Sequence, residues 1–214
     1  MSKFNSEIIP IRSLEHLIKD LDYAFQTQDE KLLPFIGKMP TLSNFQTQIN
    51  TKSFTSEKRI KLNNIITQQY INCGIQPSEQ PNLSNILDSK AFFVTTAHQP
   101  NLMTGPSYFF YKIISTIKLA QLIKNGNQNS HIIPCYVIGS EDHDFEELGH
   151  FYLLGHRIEL TQNRGIAFAK YPIEDLIPVV EQIKNILPSS TNTSKLVTLL
   201  EKCIRQTKTI GEFT

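Results

Sequence analysis

Two short apolar runs, Ala91-Phe-Phe-Val-Thr-Thr96 and His131-Ile-Ile-Pro-Cys-Tyr-Val-Ile138, flank one long helical pattern, and this pairing constrains the fold more than any other feature. Short runs rich in β-branched and aromatic residues read as buried strands, so strand, helix and strand together predict a βαβ unit and an α/β class. Such a crossover joins parallel strands and is right-handed. Both strands then end on the same edge of one sheet, the edge where open α/β sheets bind ligands. Each run breaks off into a polar signature: Ala97-His98-Gln99-Pro100-Asn101-Leu102-Met103-Thr104-Gly105-Pro106 after the first, Gly139-Ser140-Glu141-Asp142-His143-Asp144-Phe145 after the second. Segments far apart in the chain are therefore expected to face one pocket.

The connecting helix fits this arrangement. Thr104 is the expected N-cap and Pro106 the expected first helical residue, where its missing N–H is harmless. Phe109, Phe110, Ile113, Ile114, Ile117, Ala120 and Leu122 or Ile123 recur at spacings of three and four, which predicts an apolar face on the sheet, with Lys112, Lys118 and Lys124 mostly off it. A helix starting beside the pocket offers free N–H groups and partial positive charge to a phosphate or carboxylate. The glycines match neither a dinucleotide fingerprint nor a P-loop.

With 214 residues, 40% of them apolar and 19% charged, the chain is long enough for a real core and has a globular composition. A formal net charge of +1, with its basic residues scattered, predicts neither a nucleic-acid nor a membrane partner. The run Lys58-Arg59-Ile60-Lys61 reads as the solvated face of a helix. The N-terminus lacks a signal-peptide core and no run approaches a membrane span, so a cytoplasmic location is expected. Cys73, Cys135 and Cys203 include no C-x-x-C, which suggests neither a disulfide framework nor a zinc knuckle; Cys135, inside a strand pattern, reads as a packed residue.

Residues 1–90 read as a mainly helical N-terminal elaboration. It holds a helix from Ser13 to near Gln28, an irregular stretch from Lys31 to Phe45, and a helix from Ser56 to Asn72 stopped by Gly74. A loop from Gln76 to Asn82 and a turn at Leu83–Leu87 complete it. Residues 91–214 read as the first part of the sheet domain. Beyond Phe145 the pattern predicts a hairpin about Gly155-His156, a further strand from Gly165 to Tyr171, a helix from Pro172 to Pro188 and another from Asn192 through Ile204. Open doubly wound sheets have about five or six strands, so two parallel strands suggest the N-terminal part of a longer protein.

The sequence Glu141-Asp142-His143-Asp144 crowds three carboxylates and an imidazole at a strand end, a density that calls for a cation, a substrate ammonium group or helix N–H groups. His98 supplies an imidazole, the residue type suited to proton exchange at physiological pH, and Gln99 is a two-way hydrogen bonder. Together these groups could orient an amine, take its proton and hold an activated acyl or phosphoryl group. A plainer reading makes Asp142 or Asp144 the cap of a helix starting at Phe145, with His143 bonded to backbone. Asp, His and Asp are also metal-ligand types, although no H-x-x-x-H or cysteine pair accompanies them. Alternatives using the same pocket are a nucleotidyltransferase or a metal-dependent hydrolase, and a catalytically silent scaffold. His16, His150 and His156 read as surface residues.

At Thr95-Thr96-Ala97-His98-Gln99-Pro100, Thr104-Gly105-Pro106-Ser107-Tyr108, Tyr111-Lys112-Ile113-Ile114-Ser115 and Glu141-Asp142-His143-Asp144-Phe145-Glu146-Glu147, the chain resembles the bacillithiol biosynthesis cysteine-adding enzymes, the BshC family. The match is strongest from Ala91 to about Phe151. The resemblance implies a Rossmann-like core similar to that of nucleotidyltransferases, with a coiled-coil arm and homodimerisation supplied by later sequence. The activity it implies joins cysteine to the amine of glucosaminyl malate, with ATP expected because an amide needs an activated carboxyl group; a metal requirement stays open. The implied catalytic residues are His98, Asp142, His143 and Asp144, with Gln99, Thr104, Gly105, Tyr108, Lys112 and Glu141 as substrate or anion contacts. The sequence departs from the family in length, being much shorter, and at Ala97, where the family usually has glycine. If that position needs positive φ, the turn before His98 is shifted.

Overall fold

A computed structural model describes residues 7–127 and 129–214. The chain forms two compact units, residues 1–52 and 53–214, where the motifs alone place a boundary at residue 90.

The first unit contains a 3-10 helix at Ile11–Leu17 and helices α1 (Asp20–Gln26), α2 (Leu33–Ile36) and α3 (Leu42–Thr51). The single helix expected from Ser13 to Gln28 is broken at Ile18, which is extended (φ −112°, ψ 139°). Asp20 and Asp22 then favour a fresh start by placing negative charge in the first turn of α1. The stretch expected to be irregular is largely helical. Pro34 sits in the first turn of α2, where it is tolerated, and Gly37 closes that helix at φ 74°. Leu42, Phe45 and Ile49 then follow a helical period with no breaker until the end of α3.

The second unit opens with α4 (Ser56–Asn72), whose first turn is capped by the Thr55 hydroxyl accepting from the Lys58 N–H and whose end meets Gly74 at φ 69°. Arg59 corrects the solvated-face reading. Lys58, Ile60 and Lys61 are exposed, but Arg59 is only 3% exposed. Its guanidinium donates to the carbonyls of Phe54, Ile86, Ser89 and Ala91 at 3.1–3.3 Å. Three of these carbonyls come from the segment entering the first strand and the fourth, of Phe54, from just before α4, which a charge pattern cannot reveal.

Strands β1 (Ala91–His98) and β2 (His131–Ile138) pair in parallel, in register from Ala91↔His131 to His98↔Ile138. Ala97 pairs with Val137 inside β1 and is not among the residues with positive φ, so alanine fits there without a shifted turn. Helix α5 (Tyr108–Gly126) makes the crossover. It begins later than expected: Ser107 precedes it, Pro106 lies outside it, and Thr104 is no cap but a left-handed residue at φ 72°. Its buried stripe is Phe109, Thr116, Ala120 and Ile123, while Phe110, Ile114 and Ile117 are exposed. Two strands present a sheet face too narrow to cover the full apolar width.

Beyond β2 come α6 (Phe145–Leu148) and an antiparallel hairpin of β3 (His150–Leu153) and β4 (His156–Glu159). The turn is Leu154-Gly155, one residue earlier than expected, with φ of 49° and 84°. Both central residues thus take the positive φ of a type I′ turn, which favours Asn or Gly over leucine. Leu154 is 70% exposed and its side chain gains little from burial. Leu154→Asn is accordingly expected to raise stability by about 0.5–1 kcal/mol; a lower urea midpoint would contradict this account of the turn.

The strand expected at Gly165–Tyr171 is instead a turn at Gly165 (φ 65°) followed by a 3-10 helix at Phe168–Lys170. Phe168 and Tyr171 are both buried, and a three-residue period sends both inward where strand alternation would split them between faces. The helix expected from Pro172 is divided into a 3-10 turn at Ile173–Leu176 and α7 (Ile177–Ile186), with Pro178 in the first turn of α7. Ser190 caps α8 (Thr191–Gln206), and a short α9 (Ile210–Phe213) follows, tied back by the Ile210 N–H donating to the Tyr171 carbonyl at 3.0 Å.

The larger core packs Leu148, Ile158, Phe168, Tyr171, Leu176, Val179 and Ile210 with Leu102; a smaller one gathers Leu83, Ile86, Ala91 and Ile133. The main core therefore lies among the elements after β2, and Leu102, from the turn that follows β1, is keyed into it. All three cysteines are free, and burial pushes the Cys135 thiol up, away from the thiolate a nucleophile needs. Among the described residues no helix is long and apolar enough to cross a membrane.

Candidate functional site

Parallel pairing brings the ends of β1 and β2 together. The Gly139 N–H donates to the His98 carbonyl at 2.9 Å, so the acidic loop starts where the His98-Gln99 signature does. His98 is the last residue of β1 and points toward α5; it is 4% exposed, stacked on Tyr108 at 4.9 Å and tilted against Phe109 at 5.8 Å.

The protonation of His98 follows from its neighbours. The Gln99 backbone N–H donates to Nδ1 at 2.8 Å, and a backbone amide always carries its proton. Nδ1 must therefore accept, which puts the ring proton on Nε2. The Gln99 side-chain oxygen lies 2.7 Å from the same Nδ1. Two acceptors cannot face one another, so the amide presents its NH2 group there, an end-for-end exchange that leaves its shape unchanged. Nε2 is buried with no hydrogen-bond partner among the described residues. An unmade hydrogen bond on such an atom costs about 1–3 kcal/mol, which makes His98 a donor awaiting an acceptor.

Lys112 stands beside this histidine. Its ammonium group donates to the Ala97 carbonyl at 3.2 Å and lies 5.1 Å over the Tyr108 ring that stacks on His98. His98, Gln99, Tyr108 and Lys112 thus form one group.

Thr104 and Gly105 serve differently from the expected anion cradle. Their N–H groups are already bonded, to Asn101 O at 3.2 Å and Leu102 O at 3.1 Å, and the N–H groups of Phe109, Phe110 and Tyr111 bond to Pro106 or Ser107. Met103, Thr104 and Gly105 all have positive φ (47°, 72° and 63°), a conformation that Met and β-branched Thr seldom adopt and that concentrates at functional sites. A Cβ on Gly105 would lie 2.7–3.0 Å from the Asn101 side chain. Glycine here makes room for a buried asparagine.

For Asp144 the acidic loop is built as the plainer reading has it, but among the described residues no hydrogen bond ties His143 to backbone. Asp144 caps α6, its carboxylate accepting from the Glu147 N–H at 3.0 Å, and the Asp142 carboxylate accepts from the Asp144 N–H at 3.0 Å. Backbone N–H groups therefore supply part of the counter-charge. The Asp142 carbonyl accepts from the Phe168 N–H at 2.7 Å and anchors the loop to the larger core. Glu141, His143 and Asp144 are exposed and Asp142 is half-buried. Among the described residues no hydrogen bond or ion pair joins these side chains to His98 or Lys112, and no three His, Cys, Asp or Glu side chains converge as metal ligands.

Two residues that sequence reading passed over are Asn101, 6% exposed, and Tyr136; the Asn101 Oδ1 and the Tyr136 hydroxyl are buried without partners. Register supplies a signal for Tyr136. It pairs with Thr96, two residues before His98, so Tyr136 and His98 share a sheet face. Burial pushes the Tyr136 phenol up.

The family described as "Bacillithiol biosynthesis BshC, N-terminal Rossmann-like domain" matches residues 5–214. A protein of Flavobacterium johnsoniae named "Putative cysteine ligase BshC" is 36% identical over 182 residues, covering 84% of this chain and 34% of its own length. Proteins of the same name from Flavobacterium psychrophilum (32% identical, 82% of this chain, 34% of the relative) and Cytophaga hutchinsonii (28%, 87% and 35%) align similarly. The chain spans about a third of the length of the curated relatives it matches.

Proposed function

The chain belongs to the BshC family of bacillithiol biosynthesis, whose N-terminal Rossmann-like domain it carries, and from that premise we propose that it takes part in joining cysteine to the amine of glucosaminyl malate. The observation that carries this reading is the buried, unpartnered Nε2 of His98 beside Lys112, at the carboxyl ends of two parallel strands. The nucleotidyltransferase-like core and homodimerisation of the full-length protein belong to the same proposal.

Forming an amide from a carboxylate requires loss of an oxygen leaving group, and ATP would supply the activation of the cysteine carboxyl. The donors present suit a phosphoryl group: His98 Nε2–H lacks an acceptor, and the Lys112 ammonium adds positive charge beside the same ring. With its proton fixed on Nε2, His98 acts as an oxyanion contact and cannot take the proton of the attacking amine. Gln99 holds the ring in that tautomer. On the opposing loop, Glu141 and Asp142 draw the substrate ammonium group electrostatically. His143, exposed on the same loop, takes a proton from that ammonium group and so frees the nitrogen lone pair to attack the activated acyl carbon; the carbon–oxygen bond to the phosphorylated oxygen then breaks, and the second nitrogen proton leaves with the departing phosphate.

The test is to incubate the protein at its full natural length with glucosaminyl malate, cysteine and ATP and seek the cysteinyl product by mass spectrometry, with a relative that forms it run alongside. Product is expected, with His98→Ala lowering kcat/KM about 10²-fold or more. Absence of product from the wild type, while the control succeeds, overturns the proposal.

A further inference from the structure

Among the described residues, the buried side-chain polar atoms without a partner are Nε2 of His98, Oδ1 of Asn101 and the hydroxyl of Tyr136. Such atoms are scarce in folded proteins, and several at one place call for a partner outside the chain. The three share a neighbourhood. His98 and Tyr136 lie on the same sheet face and pack against Phe109, at 5.8 and 5.5 Å between ring centroids. Asn101 follows His98 by three residues, bonds through its N–H to the Gln99 carbonyl at 2.9 Å and packs on Gly105.

Their chemistry defines what would satisfy them. His98 Nε2–H and the Tyr136 phenol, kept protonated by burial, are donors, and Lys112 adds a positive charge beside the histidine. Asn101 Oδ1 is an acceptor. Two donors, a cation and one acceptor complement an oxyanion that also bears a hydroxyl group. We infer that Asn101 and Tyr136 are ligand-contacting residues that, with His98, bind a hydroxyl-bearing oxyanion, either a carboxylate or a phosphoryl group. This deepens the proposed function and rests on it for the identity of the pocket. Because all three atoms are sealed from solvent, the ligand arrives with a displacement at this junction, where three consecutive residues, Met103 to Gly105, are held left-handed.

Calorimetric titration of the protein with inorganic phosphate, malate and succinate, on the wild type, Tyr136→Phe and Asn101→Asp, tests the assignment. The wild type binds phosphate, malate or both; phosphate alone identifies the phosphoryl source and malate alone the carboxylate source. Succinate, which lacks the hydroxyl, binds several-fold more weakly than malate wherever malate binds. Tyr136→Phe removes an unpaired buried hydroxyl, so its Tm rises while its affinity for the bound probe falls about five- to tenfold. Asn101→Asp, nearly isosteric but negative, loses about tenfold or more. Wild-type affinity in Tyr136→Phe, or no binding of either anion by the wild type, overturns the inference. Loss of anion binding in Tyr136→Phe beside a wild type that makes no cysteinyl product would instead remove the ligase reading and leave the oxyanion site standing.

Discussion

Arg59→Ala is expected to lower the stability of the second unit by about 3–5 kcal/mol, a large part of the roughly 5–15 kcal/mol typical of a domain. A buried guanidinium normally has a carboxylate partner. This one instead serves the carbonyls of Phe54, Ile86, Ser89 and Ala91, with its charge 5.3 Å over the Phe54 ring. Hydrogen bonds to a charged donor are worth about 1.5–3 kcal/mol each, and truncation leaves several acceptors dry at once. Because Ala91 opens β1, the register of the sheet should loosen with them. Arg59→Lys is expected to restore little, since one ammonium cannot match a planar fork reaching carbonyls on several sides. Urea unfolding followed by circular dichroism measures the loss; less than about 1 kcal/mol would mean that water replaces the guanidinium.

Gly105→Ala is expected to be nearly as damaging to the fold and worse for the site. The added methyl would fall 2.7 Å from Asn101 Nδ2 and 2.8 Å from its Cβ, at a backbone position with φ 63° and ψ −141° that L residues rarely take. Steric overlap and backbone strain together predict a loss of about 2–4 kcal/mol. Shortening the opposing side chain with Asn101→Ala relieves the overlap and leaves the strain. The double variant should thus be more stable than the sum of the single losses by about 1 kcal/mol or more. Strict additivity in a thermal or urea cycle would show that the two residues do not touch.

The βαβ unit was legible because its signals are local and redundant: apolar runs of strand length, a helical period between them, and a glycine-proline break. Parallel direction followed from crossover length alone. Arg59 was not legible, since the carbonyls that recruit it come from residues 54 and 86–91 and no charge pattern reports them. Gly165–Tyr171 misled because apolar residues three apart suit a 3-10 turn as well as a short strand until the burial of both Phe168 and Tyr171 decides the matter. At the site, His98 and Gln99 were readable from residue type and strand end, whereas Lys112 entered only through the family resemblance. The capping of α6 by Asp144 was readable only as one of two alternatives, because an Asx cap and a ligand contact use the same side chain. Tyr136 is hidden inside an apolar run, where a hydroxyl looks like packing until strand pairing shows which face it shares.

Leu102 belongs to the turn that follows His98, yet its side chain is 1% exposed and sits among Leu148, Phe168 and Ile210. Drift in that distant interior therefore reaches the turn beside His98. On the proposed reading, a substitution at Phe168 or Ile210 that the fold survives still moves the peg on which the turn after His98 hangs, so the freedom of those positions to vary is set by the candidate site as well as by packing. Lineages that repack this interior should be found adjusting residues 101–105 in step.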